Sequence, residues 1–410
     1  MPLDRPANMN TESTHLGIAD LDHARTVLGC TVVSVGAGAV FNALPVILAT
    51  MARSLGFGET EVGWLGSAEL AGMLLGSCTT AWAMRFVSTR ILASLGVSLL
   101  LAATMTTFIV TTIGPACLLR ALSGFGCGMS YSVAVAVLTR SSAPVRNVGI
   151  LNAAGVIVGA LELAGIPLLT EKWGFQAALV TVLALVALAV LALPWIPVLV
   201  PEQRNAGKAG PNRSSEPPLR QLGLLALFAV TLFQTGPGVS WSYAESVAHE
   251  AGMPAVTVSL AFASASLVAA TACLFAWRAS TKFGQQAPLL LAMALCAAVM
   301  LAWVVPLRDS VDYVIRVTLG GTTWALVTLF QQTSLGAIDR TGRAAALVPA
   351  AQGLGQALGP LGGAALLSLG FGQQHMLAGF VVPLSVSLLL CAWAHRKLTG
   401  MTPGLGQVSA

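Results

Sequence analysis

Arg120 is the sole charged residue between Arg90 and Arg140, and it heads the stretch RALSGFGCGMSYS, in which Gly124, Gly126 and Gly128 follow at alternate positions. An ionised group set in apolar surroundings costs several kcal/mol unless it finds a counter-charge, so this guanidinium calls for a carboxylate or an anionic ligand. Glu69 and Glu162 stand in comparably apolar stretches and are the natural partners. A carboxyl that gains and loses a guanidinium neighbour changes its affinity for a proton, so these three groups could exchange protons in step with a conformational change. A static ion pair that fixes helix packing is the plainer alternative.

A second arginine repeats the pattern. In RVTLGGTTWALV, Arg316 stands four residues before Gly320, as Arg120 stands four before Gly124. Asp312 lies one helical turn before Arg316, so local pairing is the simplest account of it and a role facing a cavity the alternative. Gln234, Gly238, Trp241 and Glu245 are spaced by four, three and four and share one helix face. Such a polar and aromatic stripe suits either a solute cavity or an interfacial belt. Asn42, Tyr131, Trp324, Gln331, Gln352 and Gln356 are further polar or aromatic groups in apolar stretches.

Other chemistries find no support in the sequence. The histidines have no metal-ligand spacing, and no nucleophile, base and orienting group can be assembled, so no catalytic residue, metal site or cofactor is expected. The glycine-rich run from Gly353 to Gly363 follows no strand and lacks a Walker lysine, and it reads as a helix face where backbones approach closely. All seven cysteines fall in apolar stretches and read as small packing residues.

The elements that must hold these side chains are membrane helices. Apolar residues make up 56% of the chain, charged residues 9%, and the mean hydropathy is +0.80, far from the composition of a soluble domain. Breaking the chain at charges and at Gly/Pro clusters predicts twelve spans near 27–51, 61–84, 90–113, 115–139, 147–169, 174–198, 221–244, 255–277, 286–306, 312–334, 344–368 and 374–394. This is an all-α membrane protein by expectation, with a tail over 1–26, six-helix bundles over 27–198 and 221–396, a polar linker over 199–220 and a C-terminal tail over 397–410. Basic residues concentrate in alternate loops; with both termini in the cytoplasm, only Arg53, Lys172 and Arg308 lie outside. The basic residues form no continuous patch, which argues against nucleic acid as a partner. A bilayer is the expected environment, in a cell membrane of the bacterial inner-membrane kind. On this topology Glu69, Arg120 and Glu162 share the depth of the outer leaflet.

Arg120 and Arg316 are separated by nearly the same offset as Arg85 in WAMRF and Lys282 in STKFG. Two charged features at one offset predict a parallel internal repeat, in which two six-helix halves enclose a midplane cavity. On these residues the chain resembles the major facilitator superfamily over essentially its whole length. Arg120 with Gly124 sits where that family often carries an arginine and glycine motif in its fourth helix. The loop after the second helix resembles the family's signature loop, with Met84 in place of the usual aspartate and Val87 in place of a glycine; in the second copy Lys282 and Gly284 fit and Thr281 replaces the acid. The glycine and proline motif of the family's antiporters is absent from the fifth span, where Ala160 follows Gly159, and a Gly359–Pro360 pair appears in the eleventh.

The resemblance implies a secondary active transporter that moves a small organic solute by alternating access, with protons as the coupled partner. It also implies that the first, fourth, seventh and tenth spans line the cavity. The expected solute contacts are therefore Asn42, Arg120, Tyr131, Gln234, Trp241, Arg316 and Trp324, with Glu69 and Glu162 as proton carriers. A drug or metabolite efflux antiporter and a non-transporting sensor with the same fold remain open alternatives.

Overall fold

With no water in hydrocarbon to satisfy backbone N–H and C=O groups, an apolar chain of this kind must close its hydrogen bonds within helices. The computed structural model describes residues 21–199, 217–338 and 342–401, and among them the regular structure is helical throughout. The helices are α1 (Ala24–Asn42), α2 (Leu44–Leu55), α3 (Glu59–Ala83), α4 (Thr89–Thr106), α5 (Ile113–Leu138), α6 (Pro144–Trp173) and α7 (Phe175–Ala192), followed by α8 (Pro217–Glu250), α9 (Ala255–Phe283), α10 (Gln286–Ala302), α11 (Ser310–Ile338), α12 (Arg343–Ser368), α13 (Gln373–Gly379) and α14 (Val381–Met401).

These fourteen helices occupy the twelve predicted spans. The difference arises because two spans are broken. The first parts at Ala43 into α1 and α2, with a proline in the first turn of α2, a position where the missing N–H does no harm. The last parts at Phe380 into α13 and α14. Nine segments among the described residues are long and apolar enough to cross a membrane; α3, α10 and α12 fill the remaining places in the bundle. The predicted linker falls mostly on residues outside the described ones, and its last four belong to α8, which therefore starts earlier than expected.

The helices pack as two halves. In the first, α5 lies between α3 and α4, and α1 packs on α5, α6 and α7. In the second, α8 packs on α12 and α14, and α11 on α9 and α10. The halves meet through α6 against α9 and α11, and through α3 and α5 against α12. Large apolar side chains such as Leu75, Leu161, Leu267, Leu291 and Leu389 remain exposed on the outside, which is where lipid covers them. At the end that the basic residues assign to the cytoplasm, Arg278 lies over the rings of Phe275 and Trp277, Lys282 over Phe283 and Lys397 over Trp393. Long cations there keep their heads near water while their stems lie along apolar surface.

The glycine ladder of α5 explains the tightest contact in the first half. A Cβ added to Gly124 would come within 2.0 Å of the Glu69 carbonyl oxygen, and one on Gly128 within 2.2 Å of that of Met73. The neighbouring helix answers in kind: a Cβ added to Gly72 or Gly76 of α3 would come within 2.0 and 2.2 Å of the Ala121 and Phe125 carbonyl oxygens. Gly126 points elsewhere: a Cβ there would come within 2.4 Å of the Gly96 carbonyl oxygen of α4. Alternate glycines thus serve two neighbours, and backbones approach closely enough for Cα–H···O contacts. Gly355 and Gly359 of α12 do the same against the Thr231 and Thr235 carbonyls of α8, both at 2.3 Å, so the run from Gly353 is a packing face as its composition suggested.

Candidate functional site

Close packing of α3 on α5 sets the position of the first charged pair. Arg120 Nη1 donates to Glu69 Oε2 at 3.1 Å, and Ser123 Oγ donates to Glu69 Oε1 at 3.1 Å. Arg120 Nη2 donates to Thr107 Oγ1 at the end of α4, at 3.1 Å. The guanidinium has 0% exposure and the glutamate 2%. Two of the three groups predicted to share a depth are therefore joined, inside the first half and not in the space between the halves.

Arg316 is engaged in a related way. Its Nε and Nη2 donate to Asp312 at 2.9 and 2.6 Å, and Nη1 donates to the Ala302 and Val305 carbonyls at 2.7 and 2.8 Å. Those carbonyls close the end of α10, where a cation also complements the helix dipole. Each arginine thus reaches the end of the preceding helix in its own half. The carboxylates differ: where the first half offers Glu69 from α3, the second has Ala265 on α9, packed against Gly321, and the acid comes instead from Asp312 on the same helix. Neither arginine, expected as a solute contact, has its charge free in this geometry.

The halves are tied together by an amide. Gln332 on α11 is fully buried. Its Nε2 donates to the Tyr131 hydroxyl of α5 at 3.0 Å and to Gln352 Oε1 of α12 at 3.4 Å, and its Oε1 accepts from Asn152 Nδ2 of α6 at 3.1 Å. Around it, Gly149 meets Cys273, Gly336 meets Thr139 and Gly342 meets Ala136, while Ala81, Ala136 and Ala346 pack together. All of this lies at the end assigned to the cytoplasm. Tyr131, expected to line the cavity, accepts at its hydroxyl from Gln332 of the other half. Gln332 and Asn152 were not among the expected residues; the available signal was that Asn152, Gly155, Gly159 and Glu162 follow one another at spacings of three, four and three and so form a stripe along one helix face.

That stripe on α6 changes character along its length. Asn152 touches the other half, and a Cβ at Gly155 would meet nothing within 4 Å. The same openness surrounds Gly38 on α1. A Cβ added at Gly159 would come within 3.1 Å of the Asn42 amide nitrogen. Glu162 ends the stripe, 4% exposed, with neither carboxylate oxygen hydrogen-bonded. In the second half Trp324 Nε1 donates to Gln234 Oε1 at 2.8 Å, Gln234 Nε2 to Thr328 Oγ1 at 3.2 Å, and Gln356 Nε2 to Gln234 Oε1 at 3.5 Å. Gln331, one turn further along the same face, is buried with both ends of its amide unpartnered. Trp241 stands outside this cluster, 53% exposed, edge-on to Phe262 at 5.0 Å. The described residues contain no group of side chains able to hold a metal ion.

Solved structures share the architecture. The human organic anion transporter MFSD10 (TETRAN) is 16% identical with a TM-score of 0.69, covering 90% of this chain and 99% of that one. The proton:xylose symporter XylE bound to 6-bromo-6-deoxy-D-glucose is 12% identical with a TM-score of 0.65, covering 91% and 94%. FucP in the outward conformation is 15% identical with a TM-score of 0.70, covering 92% and 99%. A comparison with curated protein sequences finds no match. The Major Facilitator Superfamily family model matches residues 30–360, which is most of the chain. With that match, the two-half helical bundle and its like-folded neighbours, the chain belongs to the major facilitator superfamily, a family of membrane transporters.

Proposed function

We propose that this protein moves a small organic solute across the membrane by alternating access, driven by protons. The observation that carries this reading is the face of α6: at Asn152 it is bonded across to the other half, and one turn outward, at Gly155, it borders open space. Closure at one end with room beyond it is what one state of a rocking two-half carrier requires. Asn42, Gln234 and Trp324 contact the solute in this reading, Tyr131 acts in the closure, and Glu162, with Glu69 behind it, carries the proton. Arg120, Arg316 and Trp241 act from the walls. The distribution of basic residues supports a cell-membrane location with both termini cytoplasmic.

A thermal-shift screen on the purified protein supplies a solute, and proteoliposomes supply the test. Accumulation of that solute should rise under an imposed pH gradient, and Glu162→Gln should reduce it to the level seen without a gradient. Full gradient-driven accumulation in both Glu162→Gln and Glu69→Gln would remove these residues as proton carriers.

A further inference from the structure

The charges at membrane depth do not balance where a solute would sit. Arg120 is neutralised by Glu69 and Arg316 by Asp312, each within its own half. Among the described residues, Glu162 is left as a buried carboxylate without an ion pair or a hydrogen bond to either oxygen. The Asn42 amide, which also neighbours Gly159, faces Glu162 and offers it a dipole but no positive charge to pair with. A buried acceptor of this kind is costly unless something fills it. It is also on the right face: Gly155 lies two turns inward of Glu162, roughly 10 Å along the axis, and borders open space. The polar groups of the second half, Gln234, Trp324 and Gln356, are uncharged and already bonded to one another, so they add no positive charge to attract an anion.

We infer that the space between the halves takes a solute bearing a positive charge, such as an ammonium group, with Glu162 as its counter-ion. This rests on the transport reading above and gives its solute a charge. The proton and the solute's cationic group then occupy one carboxylate in turn. An organic anion would meet an unpaired negative charge, with both guanidinium groups at membrane depth already paired. The similarity to a human organic anion transporter is therefore one of fold.

The test needs no identified solute. Gly155→Cys places a thiol in open space, and cells expressing it are treated from outside with two methanethiosulfonates of similar size, one trimethylammonium and one sulfonate, with the wild type as baseline for the native cysteines. Relative to their rates with a small free thiol, the cationic reagent should label the introduced thiol at least tenfold faster than the anionic one. Adding Glu162→Gln should shrink that ratio at least threefold. A ratio that Glu162→Gln leaves unchanged, or one that favours the sulfonate, overturns the assignment of a cationic solute and leaves the transport reading standing. Failure of both reagents to label a variant that elutes as a monodisperse protein removes the open chamber, and both readings with it. Should Gly155→Cys not fold, Gly38→Cys, which also faces open space, gives the same measurement.

Discussion

Removing the Glu69 carboxylate would strand a fully buried guanidinium. Breaking one side of a buried pair typically costs about 3–5 kcal/mol, whereas replacing both partners by apolar groups of similar volume is often close to neutral. Glu69→Gln alone should therefore lower the unfolding temperature in detergent markedly, and Glu69→Leu combined with Arg120→Met should restore most of the loss. Equal destabilisation in single and double variants would mean that the pair does not hold α3 to α5. This pairing was legible in the sequence, because charges are rare in an apolar chain and helix rise fixes their depth. The rotation of a side chain about its helix was not. Gln331 and Gln332 are adjacent, yet about 100° of rotation separates them; Gln332 is bonded to the other half while the Gln331 amide is buried without a hydrogen-bond partner. A sequence scan that weighs residue type alone does not tell which member of such a pair is bonded across.

Glycines show the same limit at the level of the helix. Gly124 and Gly155 look alike in sequence, but a methyl on the first would collide with the Glu69 backbone at 2.0 Å and one on the second would meet open space. Gly124→Ala should push α3 and α5 apart and cost about 1–3 kcal/mol as overpacking does. Gly155→Ala should be neutral or slightly stabilising, since alanine is the better helix former by up to about 1 kcal/mol. Thermal unfolding of the two variants side by side decides it, and similar losses in both would contradict the packing described. The spans themselves were readable from the lengths of apolar runs. The breaks at Ala43 and Phe380 were not, because a proline in the sequence marks a position where a helix starts, bends or continues without saying which; Pro237 and Pro360 sit inside unbroken helices.

For the molecule as a whole, the tie through Gln332 biases which end is closed. It makes three hydrogen bonds, two of them across the halves, and a buried bond contributes about 1 kcal/mol net. Gln332→Leu, which removes both cross-half bonds, should shift the balance between states by about thirtyfold toward opening at the end they hold closed. Spin labels at Ser142 and Lys282, on the two halves at that end, should report a growing long-distance population by electron paramagnetic resonance. An unchanged distance distribution would show that the amide is a bystander. The two-half plan could be anticipated from the spacing of Arg120 and Arg316, but which contacts cross between the halves could not, since they depend on the tilt of whole bundles.

The local neutralisation of both arginines has an electrical consequence. A pair that stays together within one half carries no net charge when that half tilts, so the transmembrane voltage exerts no pull on it. Glu162 is different: filled by a proton or a monovalent cation it is neutral, and vacant it is an anion, on which a full traverse of the membrane field is worth about 2.3 kcal/mol per 100 mV. In an exchange of proton for cation both moving forms are neutral, so in clamped vesicles voltage should leave coupled turnover unaltered and act only on an uncoupled return of the vacant carrier.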